Sequence, residues 1–361
     1  MSETPLAIAA SPALKLRRIA AWPGLRALLW RGDILYGCGG YQVVRLQASS
    51  PLGENTEWEA VARFHPVWWR NLTSRHRLTY RLVRDGFHAL AILDDLTLVG
   101  AVPGALVTRF PNSDEFRVTH RVLRGTRPLH IAVVPSGRIY WGEYFDNRER
   151  AEVHIYASAD HGRSWEIAYT FPRGAIRHIH NIVHDRWGDC LWILTGDEGA
   201  ECRVLRASCD LRSVEVALAG NQQARAAAAL PTAQGLYFST DTPFEQNHVY
   251  RLDRSGKLDS AGDLASSSIY GCKVNGAMFF STMIEPSPGN EDREVHIAGS
   301  RDGATWQVVA RWEKDSLPTR YFQYPNVILP DGENPTRYLA ATAIAVETDD
   351  LVTTLWEVEP A

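Results

Sequence analysis

Ser158-Ala-Asp-His-Gly-Arg-Ser-Trp165 is the stretch of this 361-residue sequence that decides the fold. It lies between two runs rich in β-forming residues, Val153-His-Ile-Tyr-Ala157 and Trp165-Glu-Ile-Ala-Tyr169. Within the stretch, the Asp160 carboxylate can accept hydrogen bonds from backbone amides of its own turn, and Gly162 can adopt a positive φ. Trp165 can cover the turn by packing against neighbouring side chains. The stretch therefore predicts the turn of a β-hairpin.

A second copy of the pattern occurs later in the chain, as Ser300-Arg-Asp-Gly-Ala-Thr-Trp306. It follows an alternating run, Glu294-Val-His-Ile-Ala298, and is one residue shorter than the first copy. The two segments resemble the Asp-box turns of the bacterial neuraminidase repeat, which in that superfamily join the two outer strands of β-propeller blades. The resemblance implies a fold and leaves the activity open, because sialidases, other glycosidases, lyases and non-catalytic sorting receptors carry such turns.

Units of similar pattern recur along the chain with a period near fifty residues, which is typical of a propeller. Each unit has runs of five to seven alternating apolar residues that end at Gly, Pro, Asn or Asp, and helical periodicity is weak. The sequence predicts a single all-β domain over 1–361, a β-propeller of seven four-stranded blades, with six as the alternative. The predicted blades are 14–62, 77–123, 129–172, 177–218, 225–263, 267–312 and 321–358. Within them the Ala-rich segment 224–230 is predicted as an inner strand, because its repeat position outweighs its helix propensity.

Composition excludes several classes of function. A net charge of −4 without a basic run gives no reason to expect nucleic-acid binding, and no segment has the length of a membrane span. The five scattered cysteines favour reduced thiols over a disulfide framework. The N-terminus lacks the basic start and long apolar run of a signal peptide, so we expect a cytoplasmic protein. The sequence gives no prediction of oligomeric state.

Propeller topology brings the start of each inner strand and the end of the next strand to one mouth of the central channel. The same Arg-x-x-His pattern occurs at two such starts, in Arg127-Pro-Leu-His130 and Arg177-His-Ile-His180. We expect catalysis from four residues: His130, His180, Tyr144 and Glu143. We expect substrate binding from nine more: Arg127, Arg177, His178, Asp197, Arg225, Asp241, Tyr270, Arg320 and Tyr324.

Several arginines at one mouth favour an acidic ligand, because guanidinium groups bind carboxylates bidentately. We therefore expect a carbohydrate-active enzyme that cleaves a glycosidic bond beside a carboxylate-bearing sugar, by hydrolysis or elimination. The partner is an acidic oligosaccharide or glycan. The alternatives are a non-catalytic propeller that binds a glycan or a protein, and arginines that only form structural ion pairs.

Two chemistries are consistent with this set of residues. Retaining sialidases use an arginine cluster with a tyrosine nucleophile activated by glutamate. Glu143 and Tyr144 are adjacent and point to opposite faces of a strand, and the sialidase Arg-Ile-Pro motif is missing, so a true sialidase is disfavoured. The second chemistry is similar to that of seven-bladed propeller lyases and glycosidases that act beside uronic acids. No cofactor is expected, with a cation held by His178, His180 and Asp197 as the alternative.

Overall fold

Short antiparallel strands make up most of the protein, because its alternating apolar runs are interrupted every few residues by turn-forming residues. A computed structural model describes residues 13–49, 52–285 and 293–359. The N-terminal stretch on which the cytoplasmic prediction depends lies outside these residues. Residues 286–292 of the predicted sixth blade lie outside them as well.

The strands form seven sheets around a central channel, so the predicted seven-bladed β-propeller is confirmed. We number the blades I to VII in chain order and give their strands from the channel outward. Blade I contains Arg26–Arg31, Ile34–Gly39, Gln42–Gln47 and Glu59–Arg63. Blade II contains Ala89–Ile92, Leu98–Val102, Ala105–Arg109 and Arg117–Arg121. Blade III contains Ala132–Val133, Ile139–Gly142, Val153–Ser158 and Glu166–Phe171.

The remaining four blades follow the same plan. Blade IV contains Ile179–Asp185, Cys190–Thr195, Arg203–Ser208 and Val214–Ala219. Blade V contains Ala226–Thr232, Gly235–Thr240, Asn247–Asp253 and Leu258–Leu264. Blade VI contains Ser268–Val274, Ala277–Thr282, Glu294–Ser300 and Gln307–Glu313. Blade VII contains Asn326–Ile328, Tyr338–Ile344, Val352–Val358 and, as its outermost strand, Leu16–Pro23.

The ring is closed by pairing both ends of the described chain within blade VII. Leu16–Pro23 runs antiparallel to Val352–Val358, so the first predicted unit, 14–62, is wrong at its start. A short strand, Asp331–Glu333, also pairs in parallel with the inner strand of blade I. Because the ends of the chain share one sheet, the blades cannot separate without breaking that sheet's hydrogen bonds.

Both predicted Asp-box turns join the third and fourth strands of their blades. In blade III, Asp160 Oδ1 accepts hydrogen bonds from the backbone amides of Arg163 at 3.0 Å and Ser164 at 2.9 Å. Gly162 has a φ of 77°, as the turn requires. In blade VI, Asp302 Oδ1 accepts from the amides of Ala304 and Thr305, each at 2.8 Å. The local geometry predicted from the motif is therefore present in both blades.

The core is divided among the interfaces between neighbouring blades. One cluster joins Ile155 of blade III to Ile182 and Leu191 of blade IV, and the others repeat this arrangement around the ring. The Ala-rich segment forms the strand Ala226–Thr232, as predicted, with a 3-10 turn at Gln222–Ala224 before it. Its alanines pack against Trp192 and Phe238, so tertiary packing determines the conformation.

Two short helices, α1 (Trp68–Thr73) and α2 (Arg77–Val83), stand between blades I and II. The predicted unit 77–123 is therefore corrected, since its first residues are helical and blade II begins at Ala89. Arg81 fixes α2 to the propeller, because its buried guanidinium pairs with Asp315 and Asp350. None of the helices in the described part of the chain has the length and apolar character that a membrane crossing requires.

Candidate functional site

A cavity of about 580 Å³ opens at the end of the channel where the inner strands begin. Residues further along the same inner strands line a second cavity of about 380 Å³. This arrangement follows from the topology, because all inner strands run in the same direction along the channel. The first cavity therefore collects side chains from the strand starts and from the loops that follow the second strands.

A β-bulge lies near the start of four inner strands, and in blades IV, V and VI the extra residue lines the cavity. The pairing register shifts between Ile179 and Asn181 in blade IV and between Ala226 and Ala228 in blade V. Blades I and VI have the same shift at the equivalent place. An extra residue in a strand bends it and turns a side chain that would otherwise face a neighbouring blade. In blade IV the extra residue is His180, which faces His178 within the cavity wall.

His178, His180 and Asp197 form a buried cluster in this wall. The two Nε2 atoms are 3.0 Å apart, and they lie 3.5 and 3.4 Å from the Asp197 carboxylate. Burial alone would raise the pKa of Asp197, but its interactions with the two histidines outweigh burial and hold that pKa well below its usual range. Burial lowers the pKa of His178, against the opposing effect of Asp197.

Arg177 and Arg225 connect this cluster to further carboxylates. Arg177 Nη1 lies 3.0 Å from Asp197, and Arg225 Nη2 lies 3.2 Å from it. Arg225 also lies 3.5 Å from Asp241, whose pKa is raised by burial in spite of this arginine. Burial and the charge of Asp241 raise the pKa of Glu285. We call Asp197, Asp241, Glu285, Arg177 and Arg225 the carboxylate side of the cavity.

The opposite part of the wall, which we call the arginine side, consists of Arg26, Arg84 and Arg127. None of the three has a carboxylate partner among the residues that the structure describes. Nε and Nη2 of Arg26 and Nε of Arg127 are buried without a hydrogen-bond acceptor. Burial, with the charges of Arg84 and Arg26, lowers the pKa of Arg127 to about 10, so the group stays charged at neutral pH. The arginine side is therefore a concentration of positive charge that none of the described carboxylates pairs with.

Local structure holds the arginine side in place. Arg26 Nη1 donates to the carbonyl of Phe87 at 2.9 Å and contacts His88 Nδ1 at 3.1 Å. His88 Nε2 contacts the carbonyl of Arg84 at 2.8 Å. Arg84 itself ends α2 in a left-handed conformation with a φ of 52°, which costs a non-glycine residue free energy. The backbone is thus held in an unfavourable conformation at the point where Arg84 enters the cavity wall.

Aromatic side chains line the space between the two sides. The ring of Tyr144 lies 4.3 Å from that of His178, measured between centroids, and burial raises the pKa of its phenol. Tyr270, Tyr324 and the exposed Phe244 also line the cavity. Their faces offer the kind of surface on which sugar rings pack.

Most of the predicted site residues line this one cavity. They are Tyr144, His180, Arg127, Arg177, His178, Asp197, Arg225, Asp241, Tyr270 and Tyr324. Three other predicted site residues lie elsewhere: Glu143, His130 and Arg320.

Each of the three misplaced side chains has a local reason. Glu143 points away from the cavity, where Arg124 Nε donates to it at 2.9 Å and the amide of His154 at 2.8 Å. His130 lines the second cavity beside Asp331, which it contacts at 3.1 Å, and it lies level with Asn181, one residue beyond His180. Arg320 is exposed over the ring of Tyr321, in the loop before the strand that begins at Asn326.

Sequence reasoning missed Arg26, Arg84, His88 and Glu285. A signal for Arg26 was present, because it occupies the position before the bulge that His178 and Arg225 occupy in their blades. The prediction missed it because the predicted first unit, 14–62, begins in the strand that completes blade VII, whereas the inner strand of blade I is Arg26–Arg31. Arg84 and His88 follow a helical insertion that the repeat cannot predict, and Glu285 lies in a long loop.

Comparisons with known proteins support the fold and no single family. No protein-family model matches the sequence, and no curated protein matches it either. A chain in the crystal structure of the mitotic checkpoint complex is similar over 100% of both chains, with a TM-score of 0.58 and 11% identity. The Neurospora crassa Pan2 WD40 domain gives a TM-score of 0.56 and 8% identity over 96% of each chain.

The WD40 β-propeller domain of Doa1 gives a TM-score of 0.55 at 7% identity, over 96% of this chain and 98% of that one. This chain is a seven-bladed β-propeller. At these identities the likeness shows the shared fold alone, so any function has to be argued from the cavity.

Proposed function

We propose that the protein is an enzyme that cleaves a glycosidic bond beside a carboxylate-bearing sugar in the cavity between its arginine and carboxylate sides. The proposal includes membership of the Asp-box propeller superfamily, which the geometry of the turns at Asp160 and Asp302 supports. The fold positions the residues around the cavity, and the proposal rests on the chemistry of those residues.

The observation that carries the proposal is the arginine side. Three guanidinium groups without a carboxylate partner among the described residues repel one another, and their crowding costs folding free energy. An anionic ligand would remove this cost and would supply acceptors for the buried Nε of Arg127 and the buried Nε and Nη2 of Arg26. The carboxylate of a uronic acid fits this role, because its two oxygens match the fork of a guanidinium group.

The carboxylate side supports a chemical step on the same ligand. Burial raises the pKa values of Asp241 and Glu285, which favours their protonated forms. A protonated carboxyl group beside a glycosidic oxygen is the group that donates a proton to the leaving sugar. Tyr144 lies next to His178, and the raised pKa of the Tyr144 phenol keeps that phenol protonated. The phenol can therefore donate a hydrogen bond to the glycosidic oxygen.

A second candidate is a propeller that binds its partner without turning it over. The exposed apolar residues of α1 and α2 favour a protein partner, since Trp68 is 75% exposed and Leu72, Leu78 and Leu82 are each more than half exposed. One of the similar folds also comes from a structure described as a complex, the mitotic checkpoint complex. In this reading the cavity would only hold an acidic group of the partner.

The experiment that tests the proposal compares acidic and neutral substrates of the same size. The protein is incubated with glucuronate- and galacturonate-containing oligosaccharides and with the matching glucose and galactose oligosaccharides. Release of reducing ends reports cleavage by either route, and ultraviolet absorbance of an unsaturated uronate reports elimination. We expect cleavage of at least one acidic substrate and none of its neutral counterpart.

Variants separate the two candidate functions. Arg127→Met should weaken both binding and cleavage of the acidic substrate, whereas Tyr144→Phe should reduce cleavage and leave binding within about twofold. The matched control is Arg138→Met, whose guanidinium pairs with Glu166 on the outside of blade III. Binding of uronates with no cleavage by either readout would favour the second candidate, and neither binding nor cleavage would overturn the proposal.

A further inference from the structure

We propose that His178, His180 and Asp197 bind one divalent first-row transition-metal ion, with Zn²⁺ as the reference ion. The inference does not depend on the proposed function, because it follows from hydrogen bonding within the protein and is tested without a substrate. All three residues are at least nine-tenths buried, at 5, 4 and 9% exposure. They form one of two groups among the described residues whose ligand atoms lie close enough together to share an ion.

The hydrogen bonds of the two histidines determine which nitrogen of each ring has a lone pair. His178 Nδ1 lies 3.0 Å from the carbonyl oxygen of Phe145, and His180 Nδ1 lies 2.9 Å from that of Ala226. A carbonyl oxygen can only accept, so both Nδ1 atoms must be the protonated donors. In the neutral rings, both Nε2 atoms therefore present lone pairs, and these face each other at 3.0 Å.

Two lone pairs and a carboxylate at such distances repel one another unless a positive charge lies between them. The separations are 3.0 Å between the Nε2 atoms and 3.5 and 3.4 Å from these atoms to Asp197. Ligands held about 2.1 Å from one ion are about 3.0 Å apart at a right angle and about 3.4 Å apart at the tetrahedral angle. The observed spacing is thus that of three ligands on one face of a transition-metal ion.

The surroundings have the features of the outer shell of a metal site. Metal-binding histidines usually donate their second ring nitrogen to a carbonyl or carboxylate, which fixes the tautomer and the ring orientation. Both histidines do so here, His178 on the carbonyl of Phe145 in a loop of blade III and His180 on that of Ala226 at the start of the inner strand of blade V. Arg177 and Arg225 also hold the Asp197 carboxylate, at 3.0 and 3.2 Å. Asp241 lies near His180, and its buried Oδ1 has no hydrogen-bond partner among the described groups.

The ligand types select the class of ion. Two imidazoles and one carboxylate suit Zn²⁺, Fe²⁺, Mn²⁺ or Co²⁺, whereas Ca²⁺ and Mg²⁺ prefer sets made of oxygen alone. Three protein ligands leave further coordination positions, and all three side chains line the cavity. An ion held here would act as a Lewis acid toward an oxygen atom of a bound ligand.

The competing explanation is a single proton shared between the two Nε2 atoms, which would also relieve their repulsion. Metal titration distinguishes the two explanations. The full-length protein is stripped with a chelator, dialysed and titrated with Zn²⁺ against a fluorescent competitor, and bound zinc is counted by mass spectrometry. Co²⁺ is added in a parallel titration, because its visible absorption reports nitrogen ligation and coordination number.

We expect one ion per chain and an increase in melting temperature with added Zn²⁺. His178→Gln and His180→Gln should each lower the zinc affinity by about 100-fold or more and abolish the cobalt spectrum. Glutamine keeps a donor near the carbonyl that each histidine contacts, so these variants are chosen to fold. Melting temperatures measured in chelator verify this, and either variant alone suffices if the other is unstable.

The control variant is His184→Ala. His184 belongs to the other candidate group, with Asp189 and Cys209, and lies further along the same strand. The His184→Ala variant should bind zinc with the stoichiometry and affinity of the unchanged protein. The proposal is overturned if the unchanged protein binds no more zinc than His180→Gln, or if His184→Ala is the variant that loses binding.

Discussion

Arginines face the cavity from both sides, but their partners differ. On the carboxylate side, Arg177 and Arg225 lie 3.0 and 3.2 Å from Asp197. On the arginine side, none of the three guanidinium groups has a carboxylate partner among the described residues. Arginine thus belongs to an ion-pair network on the carboxylate side. On the arginine side, its charge has no carboxylate partner among the described residues.

The two sides of the cavity differ in role: the ion pairs of the carboxylate side stabilise the fold, and the arginine side is available to bind a ligand. Breaking a buried ion pair by removing one member leaves the other charge uncompensated and destabilises the protein. Removing one of several like charges relieves repulsion and has the opposite sign. The sign of the change in unfolding free energy therefore tells which role a cavity arginine or carboxylate has.

The largest effect is expected for Asp197→Asn. The neutral amide no longer compensates Arg177 and Arg225, so the unfolding free energy should fall by about 3–5 kcal/mol. Chemical denaturation in the presence of a chelator measures this change without a contribution from bound metal. A loss below about 1 kcal/mol would mean that the ion pairs of the carboxylate side do not stabilise the fold.

Two adjacent residues give the next contrast. Glu143→Gln weakens the buried pair with Arg124 and should lower the unfolding free energy by about 2 kcal/mol, without changing ligand affinity. Tyr144→Phe should change the unfolding free energy by less than about 0.5 kcal/mol and reduce turnover instead. Denaturation and kinetics on the same two preparations measure both effects. If Glu143→Gln instead reduced turnover and Tyr144→Phe lowered the unfolding free energy, Glu143 would be the functional residue of the two.

The pH dependence of stability gives a third contrast, within the carboxylate side. Burial raises the pKa of Asp241, so its contribution to stability is greatest at low pH and is lost as pH rises from the ordinary aspartate value through the raised one. Asp241→Asn should remove this loss and become more stable relative to the unchanged protein as pH rises. Asp197, whose pKa is lowered, should behave in the opposite way, since its contribution is lost as pH falls.

Denaturation curves for both asparagine variants between about pH 2 and pH 8 cover the range below the ordinary aspartate pKa, where the Asp197 slope lies, and the range above it, where the Asp241 slope lies. Slopes of the same sign for the two variants would contradict the assigned environments.

The smallest effect is expected far from the cavity, at the Asp-box turns. Asp160→Ala removes the acceptor for the amides of Arg163 and Ser164, which lie near solvent, and should cost about 1 kcal/mol. Asp302→Ala in the equivalent turn of blade VI is the matched comparison and should cost a similar amount. Unfolding free energies of the two variants that differ by several kcal/mol would show that the turns are not equivalent.

The sequence was sufficient to predict the fold, because the same pattern of strands and turns recurs in successive units, so each predicted blade supports the others. Two matching turns and a period near fifty residues predicted seven blades, and the Ala-rich segment 224–230 was correctly predicted as an inner strand, which the structure has at Ala226–Thr232. Ring closure could not be predicted in the same way. Leu16–Pro23 completes blade VII from the other end of the chain, and no local pattern distinguishes that pairing from one with blade I.

The cavity was only partly predictable, because side-chain direction depends on features finer than the repeat. A bulge of one residue places His180 in the cavity wall, whereas His130, which the repeat aligns with it, lines the second cavity. Arg84 and His88 follow an inserted pair of helices, which has no counterpart in the other blades to align with. Repeats thus predict which strand ends converge, whereas insertions and bulges decide which side chains meet.

The most direct test of the central claim is the unfolding free energy of Arg127→Met and Arg225→Met, each measured with and without glucuronate. We predict that Arg127→Met is as stable as the unchanged protein or more stable, and that it loses the stabilisation by glucuronate. Arg225→Met, which leaves Asp197 and Asp241 without this partner, should be less stable by about 2–4 kcal/mol. A destabilised Arg127→Met that still gains stability from glucuronate would contradict the claim that the arginine side exists to bind an anion.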